Sequence, residues 1–63
     1  MKKKIILKTE DPRMIIQIFD FIKSNRGNVI EYDDLHIVIE KNDEIINKIM
    51  NNKLFAKMIL KIT

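Results

Sequence analysis

The residues of this sequence that could perform chemistry are concentrated between positions 31 and 36, where carboxylates stand beside the one imidazole of the chain. Glu31, Asp33, Asp34 and His36 could act as an acid and base pair or hold a metal ion weakly. The same residues suit a tight turn, because aspartate tolerates left-handed backbone angles better than most residues. Glu31 and His36 would then form an exposed cross-strand pair worth at most about 1 kcal/mol. We interpret the segment as a turn, and predict neither a catalytic residue nor a metal site.

Other catalytic chemistry lacks the residues that it requires. Cysteine is absent, and the serine and threonine hydroxyls, those of Thr9, Ser24 and Thr63, stand at the ends of the expected elements. A nucleophile beside a base is therefore not expected. Gly27 is the single glycine, whereas loops that cradle phosphates need several. The sequence predicts a protein that is not an enzyme and binds no cofactor.

Lysines give the chain a formal net charge of +3 and indicate where nucleic acid would bind. A short basic run covers residues 2–4. If the last segment is helical, Lys53, Lys57 and Lys61 form a row at i, i+4 and i+8. Such a row is more often a solvated helix face, but it could follow an RNA backbone. We note these three lysines as possible RNA contacts.

The first part of the chain predicts a strand followed by a helix. Residues 2–9 read as the strand, and Asp11 followed by Pro12 is a typical helix start. The helix carries an apolar arc of roughly 220°, wider than a three-stranded sheet covers, so part of it is expected to meet a partner. Three apolar residues lie at the sides of this arc: Met14, Ile16 and Phe21. Gly27 suits the left-handed residue that follows a helix.

A hairpin is expected next. Residues 28–32 and 35–40 predict two strands joined by a two-residue aspartate turn. In that register Tyr32 lies opposite Leu35 and Ile30 opposite Ile37 on the core face. The Glu31–His36 pair lies on the other face, where Val29 is opposite Val38. The second face is therefore not fully polar.

From Asn42 onward the apolar residues fit both a helical spacing and a strand alternation. In one interpretation Asn42 or the next residue caps a single helix that runs to about Ile62. The apolar face of that helix rotates, so its second half would meet another chain through four residues: Phe55, Met58, Ile59 and Ile62. In the other interpretation Asn51 and Asn52 end a short helix, and residues 54–62 alternate as a strand.

The chain is so short that a partner is expected to contribute to its stability. With 63 residues and 46% hydrophobic residues, the chain is one globular domain, 1–63, below the roughly 70 to 80 residues at which a core is self-sufficient. Oligomerisation or docking is expected to add stability. No apolar stretch approaches the roughly 20 residues that span a bilayer, so we predict a cytoplasmic protein without a membrane partner. The predicted partner interface consists of Met14, Phe21, Phe55, Met58, Ile59 and Ile62.

The order of these elements resembles the small Pcc-type subunit of KEOPS, the complex that makes threonylcarbamoyladenosine in tRNA. Three stretches carry the resemblance: KKIILKTEDPRMIIQIFDFI, NVIEYDDLHIVIEKNDE and IINKIMNNKLFAKMILKI. The family has a Leu-rich helix with an Asn-Ser pair followed by an aromatic residue and Leu. Asn51, Asn52 and Leu54 fall where that pair and that leucine would be.

The resemblance implies a fold and a role. Because the family ends in one helix, it favours an α+β fold of β-α-β-β-α order, with a three-stranded antiparallel sheet and two helices. It also implies a non-catalytic scaffold subunit that forms a homodimer, binds the threonylcarbamoyltransferase subunit and helps to hold tRNA. The alternative fold is a ferredoxin-like β-α-β-β-α-β domain, and the alternative function is a small RNA- or DNA-binding protein.

Overall fold

The computed structural model describes residues 3–63. Met1 and Lys2 lie outside the described residues, and Lys2 is the first residue of both the predicted strand and the basic run. The elements are, in chain order, β1 (Lys4–Thr9), α1 (Pro12–Ser24), β2 (Val29–Tyr32), β3 (His36–Glu40), α2 (Asp43–Asn51), α3 (Lys53–Met58) and β4 (Ile59–Ile62). The strands form one antiparallel sheet in the order β2-β3-β1-β4.

Alternating side chains on the two central strands explain why the helices cover one face of the sheet. Leu7 and Thr9 of β1, like Ile37 and Ile39 of β3, are at most 1% exposed, whereas Ile6 is 41% exposed. The buried face meets apolar residues of all three helices, which complete the core: Met14, Ile15, Ile18, Ile22, Ile45, Ile49 and Phe55. We call the other face of the sheet, which carries Ile6, the open face.

The predicted start of α1 is confirmed. Asp11 is its N-cap, with extended backbone angles, and its Oδ1 accepts the backbone N–H of Arg13 at 2.9 Å. Pro12 is the first helical residue, where its missing donor costs nothing. The Arg13 guanidinium also donates to the Asp11 carboxylate at 3.1 Å and thereby holds the pKa of that carboxyl below its usual value.

The residue with left-handed backbone angles after α1 is Arg26, with φ of 63°, and not Gly27 as predicted. Gly27 is needed for a different reason. A Cβ atom there would lie 2.6 Å from Cδ1 of Ile45 and would also collide with Ile22. The glycine therefore lets the chain after α1 pass close to the buried isoleucines of α1 and α2.

The expected fold, a three-stranded sheet with two helices, is wrong, because the chain after Asn42 is neither one helix nor a helix followed by one long strand. Asn52 has extended backbone angles, donates its N–H to the Ile49 carbonyl, and so ends α2. Its Oδ1 accepts from the backbone N–H groups of Leu54 and Phe55 at 3.0 and 3.2 Å, which starts α3. One side chain thus interrupts the helix.

The strand order agrees with the ferredoxin-like alternative, in which a final strand pairs beside β1. Two details differ from that alternative. The second helix is split into α2 and α3, and β4 begins at Ile59 rather than at Leu54. β4 pairs only with β1, so it forms one edge of the sheet, and β2 forms the other.

The predicted hairpin register is also wrong. Tyr32, not Ile30, lies opposite Ile37, and Glu31 lies opposite Val38 rather than His36. The physical reason is the turn, which leaves three residues, not two, between the strands. The Oδ1 atom of Asp33 accepts the N–H groups of Leu35 and His36 at 2.9 and 2.8 Å and closes this wider loop. An irregularity between Val29 and Glu31 then shifts the remaining pairs.

Candidate functional site

The acidic segment around His36 is a hydrogen-bonded turn in the structure. Hydrogen bonds from the backbone of Leu35, then of His36, lower the pKa of Asp33. The His36 ring nitrogen Nδ1 lies 3.2 Å from the same carboxylate, and both side chains are well exposed. Glu31 is not opposite His36, so the predicted cross-strand pair is not formed. Within residues 3–63 no group of three or more His, Cys, Asp or Glu side chains comes together as a metal site.

The lysine row does not exist as one helical face, because Lys61 belongs to β4. Lys53 and Lys57 are exposed on α3, one turn apart. Lys61 instead lies opposite Lys8 of β1, on the open face. The structure therefore divides the three predicted RNA contacts between a helix and the sheet.

The open face of the sheet brings together a different set of residues. Ile6 lies opposite Val38, and Lys8 lies opposite both His36 and Lys61. Lys4 shares this face but is opposite Glu40. Three lysines from two strands and the carboxylate of Glu40 thus border the apolar pair of Ile6 and Val38. The sequence did not indicate this cluster, because it depends on the pairing of β4 with β1.

The six predicted partner-interface residues have different surroundings. Met14 and Phe55 are 4% and 6% exposed and belong to the core, which leaves little of either side chain for a partner. Phe21 packs edge to face on Phe55, with 5.1 Å between ring centroids. Met58 and Ile59 are partly buried against the same core. Of the six only Ile62 is strongly exposed, at 37%; the interface role of this set stays a prediction.

A second apolar surface lies between α1 and the hairpin. This α1–hairpin groove is lined by Pro12, Ile15, Ile16, Tyr32, Asp33 and Asp34. Ile16 is 66% exposed and Tyr32 63% exposed, the two highest values among the large apolar side chains of residues 3–63. Phe19 supports one wall, because its ring packs edge to face on Tyr32 at 5.4 Å. The sequence indicated Ile16 through the wide arc of α1, but it placed Tyr32 in the core.

The groove combines apolar and acidic chemistry. Its lining includes two isoleucines and an aromatic ring together with the carboxylates of Asp33 and Asp34. Asp33 carries a negative charge at neutral pH, and the backbone N–H groups of Leu35 and His36 lower its pKa further below the usual value. An apolar segment that carries a lysine or arginine would satisfy both features.

Comparisons of the chain with protein-family models, with curated proteins and with solved structures found no match. The resemblance to the KEOPS subunit thus stays a prediction. Across residues 3–63 no helix is both long enough and apolar enough to cross a membrane.

Proposed function

We propose that this chain is a non-catalytic interaction subunit that binds a partner protein in the α1–hairpin groove. The observation that supports the proposal is the exposure of Ile16 and Tyr32 side by side in one groove. Large apolar side chains that are exposed together on a small domain are typical of interaction sites. Aromatic residues in such sites often contribute most of the binding energy.

The occupant that fits the groove is an apolar protein segment with a basic residue near one end. The apolar part would cover Ile16 and Tyr32, and the basic residue would meet Asp33 and Asp34. The three sequence stretches that resemble the Pcc-type subunit support a finer proposal, that this segment belongs to the threonylcarbamoyltransferase subunit of KEOPS; the last element of the chain is β4, so the single final helix of that family is not part of this support. In that role the chain would be a cytoplasmic scaffold, and tRNA would be held by the whole complex.

The groove is tested by a pair of neighbouring substitutions on α1. Ile16→Asp places a carboxylate in the apolar part of the groove, while Gln17→Asp adds the same charge to an exposed residue outside it. The partner is captured from the native organism, purified, and titrated against each variant by calorimetry. We expect Ile16→Asp to weaken binding at least about tenfold, a change of about 1.4 kcal/mol, and Gln17→Asp to bind like the wild type.

Two results would count against these proposals separately. Equal affinity of wild type and Ile16→Asp for the captured partner would exclude the groove as the binding site. Failure of the purified threonylcarbamoyltransferase subunit from the same organism to bind would overturn the KEOPS assignment, while leaving the groove to be judged on the captured partner.

A second candidate function is nucleic-acid binding, because the open face of the sheet groups Lys4, Lys8 and Lys61. Cationic side chains on an exposed sheet can contact several phosphates. Binding to tRNA would be measured by fluorescence anisotropy at several salt concentrations. If this function is correct, the double change Lys8→Glu, Lys61→Glu lowers the salt slope by about two, since each lost phosphate contact removes about one. The matched double change Lys53→Glu, Lys57→Glu on α3 has little effect; equal effects of both would argue against the open face.

A further inference from the structure

The two edge strands carry complementary sequences. β2 reads Val29-Ile-Glu-Tyr32 and β4 reads Ile59-Leu-Lys-Ile62. Both strands have four residues, both are apolar at positions one, two and four, and both are charged at the third position with opposite signs. Four of their six apolar residues are also exposed: Ile30 at 43%, Tyr32 at 63%, Leu60 at 53% and Ile62 at 37%.

The two charged residues lie on the same face of the sheet. Glu31 is opposite Val38, and Lys61 is opposite Lys8. Val38 belongs to the open face because it pairs with Ile6. Lys8 belongs to it because it lies two residues after Ile6 on the same strand. Directly opposed residues of an antiparallel pair point to the same side, so Glu31 and Lys61 both belong to the open face.

The strand directions allow one edge to pair with the other. In an antiparallel sheet of four strands the two outermost strands run in opposite directions. If β4 of one copy lies beside β2 of another, the new pair is therefore antiparallel, and the helices of both copies stay on one side. In the register that pairs Glu31 with Lys61 of the next copy, Ile30 lies opposite Ile62 and Tyr32 opposite Leu60.

We infer that copies of this chain associate head to tail, with β2 of one copy pairing with β4 of the next. This interface goes beyond the proposed groove function, because it lies at the sheet edges and its partner is a second copy; Tyr32 is the residue that the edge and the groove share. Exposed edges are templates for pairing, and an opposite charge across the new pair favours this one. In the register centred on the charged residue, a two-fold dimer through β2 alone places Glu31 opposite Glu31, and one through β4 alone places Lys61 opposite Lys61. Charge therefore favours the heterologous contact over either two-fold contact.

Charge reversal tests the interface directly. Sedimentation velocity of the full chain over a wide concentration range would give the association constant of the wild type, Glu31→Lys, Lys61→Glu and the double variant. Each single reversal places like charges opposite each other and is expected to weaken association roughly three- to thirtyfold. The double variant restores the opposite pair and is expected to associate like the wild type. Lys57→Glu on α3 is the matched control and should leave association unchanged.

Mixing supplies a second measurement. Equal amounts of Glu31→Lys and Lys61→Glu should associate more strongly than either alone, because each offers the edge that complements the other. A wild type that stays monomeric at its highest concentration would overturn the inference. So would a double variant that remains as weak as the single ones, because head-to-tail pairing regains opposite charges at this position when both are reversed. The Ile16→Asp variant keeps head-to-tail association if the inference is correct, so failure of the groove and failure of the edges are distinguishable.

Discussion

Replacing Asn52 by alanine removes the side chain that both separates α2 from α3 and starts α3. The lost interactions are two hydrogen bonds, donated by the backbone N–H groups of Leu54 and Phe55 to the side-chain Oδ1 of Asn52, at 3.0 and 3.2 Å. Loss of such an N-cap costs about 0.5 to 2 kcal/mol. We expect a value near 2 kcal/mol, because Phe55 is a core residue and depends on the first turn of α3 for its position.

The assay is urea unfolding followed by circular dichroism, with Asn51→Ala as the control. Asn51 is exposed at the last position of α2. Alanine favours helix more than asparagine does, by up to roughly 0.7 kcal/mol, so the control should be neutral or slightly more stable. Chemical shifts of residues 53–62 would show whether α3 and β4 persist. Higher stability of Asn52→Ala, with helical shifts through residue 62, would refute the explanation and favour the single helix expected from the sequence.

Three further substitutions test other contacts. Gly27→Ala should lower the free energy of unfolding by about 1 to 3 kcal/mol in urea melts, because the new methyl group overlaps Ile45. Asp33 has a lowered pKa in the folded state, so its ionised form stabilises the fold. This contribution is complete above the unfolded pKa of about 3.9 and is lost as the pH falls through the folded pKa. Asp33→Asn lacks the contribution, so its free energy of unfolding should fall less than that of the wild type between neutral pH and about pH 2. Phe55→Ala should cost about 3 to 5 kcal/mol in thermal unfolding, and Ile62→Ala clearly less, since Ile62 is 37% exposed.

The parts of the fold that short sequence signals specify were predictable. Asp11 and Pro12 indicate the start of α1, and both have the expected capping roles. Strong alternation in β1 and β3 indicates two strands, and their inward residues form the sheet side of the core. These signals are local, since a cap or a period of two needs only a few neighbouring residues.

The last segment was not predictable from periodicity. Residues 53–58 are helical for six residues and residues 59–62 extended for four, so neither period repeats enough to exclude the other. The same residues, Leu54, Met58 and Ile62, match a spacing of four and an alternation. Asn52 was the informative residue, because its side chain can cap a new helix as readily as it can end the old one.

The candidate surfaces depended even more on tertiary structure. Tyr32 was expected in the core. The three-residue loop closed by Asp33 pairs it with the buried Ile37, so it lies on the helix side of the sheet, but at the end of the edge strand β2, where 63% of it stays exposed. The open-face lysines and the complementary edges follow from the strand order, and strand order is not encoded in any local pattern. Ile16 was the one groove residue that the width of the α1 arc indicated.

Asn52 also divides the chain into two parts that differ in their stability against local unfolding. Residues 3–51 already contain three strands and two helices, whereas the part beyond Asn52 adds one short helix and an edge strand held by β1 alone. Segments with few buried contacts open locally at a lower free energy than the whole domain. We expect amide protons of β4 to exchange with solvent well before those of β3. Each such opening uncovers the edge of β1 that pairs with β4, so β4 protects a strand that would otherwise lie exposed at the edge of the sheet.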